Sequence, residues 1–127
     1  MFFKTSIPFW EWTITFEKPG VVLKAAEGAK PVIKLTGEWT TLKLLATTSF
    51  DGITFDGTNV CYYPISAFGS DAGTYTFKNC EFTGWMYWAI SNHYEANTHV
   101  DNVLIENCLF HDAAGSAIYF NDDAPTG

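Results

Sequence analysis

Hydrophobic and polar residues alternate in short runs along this chain, and several of the runs are near copies of one another. The eight residues from position 77 (FKNCEFTG) align with the eight from position 105 (IENCLFHD). An earlier copy begins at position 50 (FDGITFDG), and a degenerate one begins at position 23 (LKAAEG). Successive copies therefore start 27, 27 and 28 residues apart. Such a period predicts roughly four stacked coils of a repeat fold.

Each clear copy breaks its alternation once, at Gly52, Asn79 or Asn107. Strict alternation is typical of a half-buried strand, and glycine and asparagine accept the left-handed backbone conformation that a tight corner needs. Each copy therefore predicts a strand, a bend and a second strand, with inward apolar side chains on both sides of the bend. Because stacked strands lie about 4.8 Å apart, like side chains should form three inward columns: Phe50/Phe77/Ile105, Ile53/Cys80/Cys108 and Phe55/Phe82/Phe110.

The segments around these copies also have the pattern of strands. Alternation recurs at residues 12–16, 31–35 and 40–44. A third strand is indicated in each repeat, because residues 89–91 match residues 117–119, with residues 64–66 one slightly shorter coil earlier. The LxxLxL pattern of leucine-rich repeats and a helical period are both missing. We therefore predict an all-β fold, a parallel β-helix (β-solenoid), in a single domain over residues 1–127.

Composition limits the partners that this domain can have. The 127 residues are 47% hydrophobic and 17% charged, too apolar for a disordered chain, and no apolar run is long enough to predict a transmembrane helix. The net charge is −7, and all seven basic residues are lysines. A nucleic-acid binder needs a basic face, and arginine is the preferred clamp for phosphate. We therefore expect neither nucleic acid nor a polyanion as the partner.

The cysteines and the chain ends add little chemistry. Three cysteines, Cys61, Cys80 and Cys108, are too few for a disulfide framework and lack zinc-site spacing. Residues 1–8 contain one lysine and no apolar stretch typical of a signal peptide. Residues 121–127 are rich in turn formers. We expect the chain to be part of a longer protein, or to be stacked upon at its ends.

The last two coils carry a resemblance to a known superfamily. Residues 103–110 (VLIENCLF) and 115–120 (GSAIYF) repeat the pattern of residues 75–82 and 88–91, and residues 16–26 look like an early coil. On these residues the chain resembles the pectate-lyase-like superfamily of right-handed parallel β-helices. More narrowly, it is similar to bacterial surface proteins of glycan-utilisation systems, related to the alginate-lyase and chondroitinase-B types. The resemblance covers nearly the whole chain and implies an extracellular or cell-surface location. Because such proteins normally have more coils, it also implies that this chain is a fragment or a shortened form.

The same resemblance would imply a lysine and arginine pair as base and acid in a lyase, sometimes with calcium. This chain departs from that pattern, because it has no arginine and Lys78 is the only lysine after Lys43. Lys78 falls in an outward slot of the repeat, where a solvated lysine is the ordinary outcome. A polysaccharide lyase must neutralise a uronate carboxylate before it abstracts a proton. We therefore transfer no catalytic residue to this chain.

Aromatic residues near one predicted loop form the first candidate ligand-binding site: Trp85, Tyr87, Trp88 and Tyr94. Sugars stack their C–H faces on aromatic rings, and indole and phenol groups add polar contacts. Trp85 and Tyr87 fall in the loop before the strand that begins at Trp88, and loops that leave the coil build the grooves of such folds. The alternative is that some of these rings fill the core or cover a coil edge.

The polar stretch of residues 91–101 is the second candidate, and it is longer than the matching turn of the earlier coils. It contains His93, Tyr94, Glu95 and His99, together with Asn92 and Asn97. A histidine and a glutamate close together would serve as acid and base or bind a ligand. The alternative is a solvated insertion whose histidines titrate normally. We include His93, Tyr94 and Glu95 among the candidate ligand-binding residues.

Acidic residues toward the end of the chain are the third candidate: Asp101, Glu106, Asp112, Asp122 and Asp123. Oxygen ligands converging from adjacent coils would suit calcium, although no EF-hand loop is present. The alternative is a polar chain end without metal. No other cofactor is indicated.

Four further residues of the repeat are assigned structural roles. A disulfide between Cys80 and Cys108 is geometrically conceivable, but we favour stacked free thiols that act as small apolar groups. Asn79 and Asn107 are predicted to form a ladder at the corner. His111 follows Phe110 in an outward slot and is predicted to be exposed.

Three functions remain open from the sequence. The first is a non-catalytic domain that binds a polysaccharide or oligosaccharide through the aromatic residues of its loops. The second is a fragment of a polysaccharide lyase or a glycoside hydrolase, where Asp112 with Asp122 or Asp123 would supply the two carboxylates that hydrolysis needs. The third is a structural or adhesive module that associates end to end through unpaired strand edges.

Overall fold

The computed structural model of the chain describes residues 2–3, 7–9, 13–67, 74–92 and 102–120, and these residues form strands and turns without a helix. Accordingly, no helix in these ranges is long and apolar enough to cross a membrane. The strands are β1 (Phe2–Phe3), β2 (Ile7–Phe9), β3 (Thr13–Phe16), β4 (Val21–Ala25), β5 (Val32–Leu35), β6 (Thr41–Leu44), β7 (Thr48–Asp51), β8 (Thr54–Asp56), β9 (Ile65–Ala67), β10 (Thr74–Lys78), β11 (Glu81–Thr83), β12 (Trp88–Ser91), β13 (Asn102–Glu106), β14 (Leu109–His111) and β15 (Ser116–Tyr119).

The strands form three parallel sheets that the chain visits in turn. The first sheet has the order β1-β4-β7-β10-β13, the second β2-β5-β8-β11-β14, and the third β3-β6-β9-β12-β15. One strand from each sheet makes one coil of about 27 residues, and the chain then returns to the first sheet one layer further on. The predicted all-β parallel β-solenoid is therefore confirmed.

The register of the strands confirms the predicted columns. Phe77 pairs with Phe50 on one side and with Ile105 on the other, and Phe82 likewise lies between Phe55 and Phe110. Phe50 and Phe77 stack with ring centroids 5.4 Å apart, and the Phe82 ring stacks 4.8 Å from Phe55 and 4.7 Å from Phe110. These rings are the centre of the hydrophobic core.

Left-handed residues turn the chain from the first sheet to the second, as predicted. Gly52, Asn79 and Asn107 have φ angles of 77°, 53° and 53°. The Asn107 side-chain amide donates to Oδ1 of Asn79 (2.6 Å), and the Asn79 amide donates to Oδ1 of Asp51 (3.0 Å). The asparagine ladder thus satisfies its own polar groups at the corner and holds three coils in register.

The degenerate copy at position 23 is also part of the stack, because Leu23 pairs with Phe50. The four aligned copies correspond to β4, β7, β10 and β13. Strand β1 pairs with β4 and adds one more layer before them. Its sequence lacks the corner signature of the later copies, so the repeat alignment did not identify it.

Candidate functional site

Six aromatic side chains form a continuous surface that starts at the turns joining the second sheet to the third and continues onto the third sheet. We call this set the aromatic ladder: Trp39, Tyr62, Tyr63, Tyr87, Trp88 and Tyr119. Trp39 lies between β5 and β6, Tyr62 and Tyr63 between β8 and β9, and Tyr87 directly before Trp88, which begins β12. Tyr119 ends β15. The ladder therefore spans four successive coils.

Each ring of the aromatic ladder contacts the next. Trp39 meets the edge of Tyr62 with ring centroids 5.0 Å apart, and Tyr62 meets Tyr87 at 4.8 Å. Tyr63 stacks on Tyr87 at 5.7 Å and on Trp88 at 5.5 Å. Trp88 in turn stacks on Tyr119 at 4.3 Å, with the two planes 20° apart. These distances lie within or close to the range of favourable aromatic pairs, so the rings support one another across the coils.

The ladder keeps large apolar rings in contact with solvent. Tyr87 is 49% exposed and Trp39 is 45% exposed, and the other four rings are half-buried. Scattered exposed apolar residues are ordinary on a soluble protein, whereas a contiguous patch indicates an interaction site. The ladder is such a contiguous patch, with two exposed and four half-buried rings.

Backbone hydrogen bonds between coils hold the ladder in place. The Tyr62 N–H donates to the Glu38 carbonyl (2.9 Å), and the Tyr87 N–H donates to the Tyr62 carbonyl (3.2 Å). The Met86 N–H donates to the Cys61 carbonyl (2.9 Å). Since each turn is bonded to the turn one coil away, the rings are presented on a rigid support.

One carboxylate belongs to the ladder surface. The Tyr62 hydroxyl donates to the Glu38 carboxylate. This hydrogen bond, which favours the neutral phenol, raises the pKa of Tyr62 to about 12. Tyr62 is therefore a neutral donor throughout the physiological pH range, and it holds an exposed negative charge beside Trp39.

Trp85, the first of the sequence candidates, lies in the core and not on the ladder. Only 3% of its surface is exposed. Its indole N–H donates to the Ser116 carbonyl (2.8 Å), and its ring packs edge-on against Phe110 at 6.1 Å. Of the other candidates, Tyr87 and Trp88 lie on the ladder. His93, Tyr94 and Glu95, with Asn97 and His99, lie outside the described residues and stay predictions.

Sequence reasoning missed four of the six ladder residues, although a signal was present. Residues 62–66 (YYPIS) align with residues 87–91 (YWAIS), and Ile65 pairs with Ile90 in the third sheet. Extending that alignment back by two positions places Tyr62 and Tyr63 one coil from Tyr87 and Trp88. Nothing comparable marks Trp39 or Tyr119.

His111 corrects a second expectation, because it is half-buried and bonded rather than merely exposed. Its Nδ1 lies 2.6 Å from Oδ2 of Asp112, and its Nε2 lies 2.5 Å from Oε1 of Glu81 in the preceding coil. The hydrogen bonds to Asp112 and then to Glu81 raise the pKa of His111, because both favour the imidazolium ion. The Thr54 hydroxyl donates to the other oxygen of Glu81 (3.4 Å). The cluster ties the last described coil to the two before it.

We expect the His111 cluster to make stability depend on pH. An imidazole whose pKa is raised above its unfolded value of about 6.5 stabilises the fold fully below that pH. The contribution is lost as the pH rises through the folded-state pKa. The urea midpoint of the parent chain should therefore exceed that of His111→Gln more at about pH 5.5 than at about pH 9. A difference that is constant with pH, or larger at pH 9, would show that the imidazolium pairs do not form.

The acidic candidates do not come together as a metal site in the described residues. Asp112 is bonded to His111, and Glu106 lies 4.0 Å from Nζ of Lys78. Asp101, Asp122 and Asp123 lie outside those residues, so both the calcium site and the hydrolytic carboxylate pair stay predictions. Elsewhere in the described ranges, no group of three or more histidine, cysteine or acidic side chains is placed to hold a metal ion.

The three cysteines are free thiols, as favoured from the sequence. Cys80 and Cys108 face each other in the column that Ile53 begins, since the flanking pairs Lys78–Glu106 and Glu81–Leu109 are in register. Burial raises the pKa of Cys61 and of Cys80 to about 12. Both buried thiols are therefore un-ionised near neutral pH and serve as packing groups.

A scan against models of protein families found no match, and a search of curated proteins found none either.

Proposed function

We propose that this domain binds a polysaccharide along the aromatic ladder without chemically changing it. The observation that supports the proposal is the unbroken series of ring contacts from Trp39 to Tyr119, with exposed faces on several coils. A ligand with many apolar C–H faces and many hydroxyl groups matches such a surface, because aromatic rings offer flat apolar area and tyrosine and tryptophan also offer polar atoms.

The direction of the ladder favours an extended ligand. Successive coils lie about 4.8 Å apart, so four coils place their rings over about 14 Å along the solenoid axis. A single sugar would cover only part of that distance, whereas a chain lying parallel to the axis would meet a ring at each step. The rings are already fixed by mutual stacking, and this preorganisation reduces the entropy lost on binding.

The finer features of the resemblance belong to the same proposal. They are a right-handed solenoid of the pectate-lyase-like type and an extracellular or cell-surface location, where polysaccharides are found. The chain is then a glycan-holding part of a larger protein, and any catalytic coils lie outside it.

The ladder is tested by alanine substitution of one exposed ring. Tyr87→Ala should weaken retention on the bound polysaccharide about tenfold or more, which corresponds to about 1.4 kcal/mol. The loss has this size because Tyr87 contacts Tyr62, Tyr63 and Trp88, so that its removal deletes one stacking surface and loosens its neighbours. The measurement is affinity electrophoresis or calorimetry on a panel of polysaccharides.

The matched control is Val22→Ala, which removes an exposed apolar side chain from the outer face of the first sheet. This variant should bind as the parent does. Retention of no polysaccharide by the parent chain, or equal loss in both variants, would contradict the proposal. Trp85→Ala is unsuitable for this purpose, since Trp85 is buried and its loss would perturb folding.

A further inference from the structure

We infer that the aromatic ladder selects uncharged glycans and rejects polyuronates. The inference rests on the proposed function and narrows it to one chemical class of ligand. It separates this chain from any lyase of acidic polysaccharides, which must hold carboxylates at regular intervals along its substrate.

Charge is distributed unevenly along the solenoid axis. Residues 44–127 contain one lysine and no arginine against ten of the fourteen acidic residues, a formal charge of −9. This part of the chain includes every coil from β7 onward and five of the six ladder rings. In the described ranges of this part, five acidic residues stand against Lys78: Asp51, Asp56, Glu81, Glu106 and Asp112. A polyuronate lying on those rings would therefore meet more charges of its own sign than of the opposite sign.

The single lysine of residues 44–127 lies away from the aromatic ladder and cannot bind a ligand carboxylate there. Lys78 ends β10 in the first sheet, and its Nζ lies 4.0 Å from Oε2 of Glu106. The ladder lies at the turns between the second and third sheets and on the third sheet itself. Carboxylate recognition relies on charged donors, most often a bidentate arginine, and the rings from Tyr62 to Tyr119 have neither lysine nor arginine on their own turns.

The other end of the ladder lies in a more basic part of the chain, since residues 21–44 contain four lysines and two glutamates. Lys43 lies on β6, in the same coil as Trp39, and is the basic residue nearest to the ladder along the chain. The same coil carries the exposed carboxylate of Glu38, which the Tyr62 hydroxyl holds beside the rings. A uronate beside Tyr62 and Trp39 would therefore meet the Glu38 carboxylate, which opposes the attraction of the lysines of this coil.

Matched pairs of polymers test the inference, since each pair shares one backbone and differs in charge. We would use polygalacturonate with its methyl ester, and carboxymethylcellulose with hydroxyethylcellulose. The parent chain should retain at least one neutral member about tenfold more strongly than its anionic partner in about 10 mM salt. This difference in affinity should become smaller in about 500 mM salt, because the electrostatic screening length falls from about 30 Å to a few ångströms.

Glu38→Gln tests the ladder's own charge. This variant should reduce the difference in affinity within a pair, because the anionic member gains several-fold in affinity relative to the neutral one. The control is Glu27→Gln, which removes the same charge from an exposed turn between β4 and β5. Glu27→Gln should leave the difference in affinity between the neutral and anionic polymers as it is in the parent chain.

The outcomes separate the inference from the proposed function. If the anionic member binds as tightly as the neutral one, or more tightly, and Tyr87→Ala abolishes that binding, the ladder binds glycans and the selectivity is wrong. If no polymer binds, or Tyr87→Ala has no effect, the proposed function fails and the inference fails with it. Both the inference and the proposed function are supported if the neutral polymer binds more tightly, Tyr87→Ala abolishes that binding, and Glu38→Gln reduces the difference in affinity between the two polymers.

Discussion

Replacement of Phe82 by alanine is expected to lower the free energy of unfolding by about 3–5 kcal/mol, the cost of truncating a fully buried phenylalanine. Phe82 is completely buried, and its ring stacks on Phe55 and on Phe110 and meets the edge of Phe77. Because the column continues on both sides, neighbouring rings cannot close the cavity without losing their own stacking. Most of the free-energy cost of the cavity should therefore appear in the measured loss of stability.

Urea unfolding followed by circular dichroism measures this effect. Leu109→Ala is the control, since Leu109 lies on the adjacent strand of the same sheet but is 57% exposed. It should change stability by no more than about 0.5 kcal/mol. A loss below about 1 kcal/mol for Phe82→Ala would mean that the inward register of the second sheet is wrong.

The second large effect is expected at Gly115, where the chain passes directly against the ladder. A Cβ atom on Gly115 would lie 2.0 Å from the Tyr87 carbonyl oxygen and 2.6 Å from that of Met86. Both atoms are backbone, so no side-chain rotation relieves the contact. Gly115 does not have the left-handed conformation that disfavours other residues, and the cost of Gly115→Ala is therefore steric.

We expect Gly115→Ala to reduce stability by about 1–3 kcal/mol, as for other overpacked sites. Polysaccharide retention should also fall, because the displaced backbone belongs to Tyr87 itself. Ser116→Ala is the control: its side chain is exposed, and the carbonyl that accepts the Trp85 indole N–H is retained. Equal stability of Gly115→Ala and Ser116→Ala would show that the two turns are further apart than described.

The two aromatic residues Trp85 and Tyr87 show the limit of pattern reading in this chain. They lie two positions apart in one turn, and both were candidates for the same binding surface. Trp85 enters the core and donates to the Ser116 carbonyl, whereas Tyr87 is half exposed. The left-handed conformation of Gly84, with φ of 70°, redirects the chain just before them. Alternation does not continue through such a turn, so their directions were not predictable from the strand pattern.

His111 shows a different limit. Its place in an outward slot was correct, but its partner Glu81 is thirty positions away and offset by two residues across the strand pair. Alignment of the repeats predicts contacts only between residues that lie directly opposite each other on neighbouring strands, such as Thr83 and His111. Diagonal contacts between long side chains depend on rotamers and on local twist, which the repeat does not specify.

The period, the corner residues and the inward phenylalanine columns were determined by the sequence alone. Each depends on neighbours along one strand or one layer away, and a repeat of about 27 residues reports both kinds of neighbour directly. Only the tertiary structure decided that Trp39 and Tyr119 belong to the aromatic ladder and that His111 pairs with Glu81. The turns before the third sheet span residues 36–40, 57–64, 84–87 and 112–115. Because their lengths differ, the sequence period does not determine which of their side chains meet.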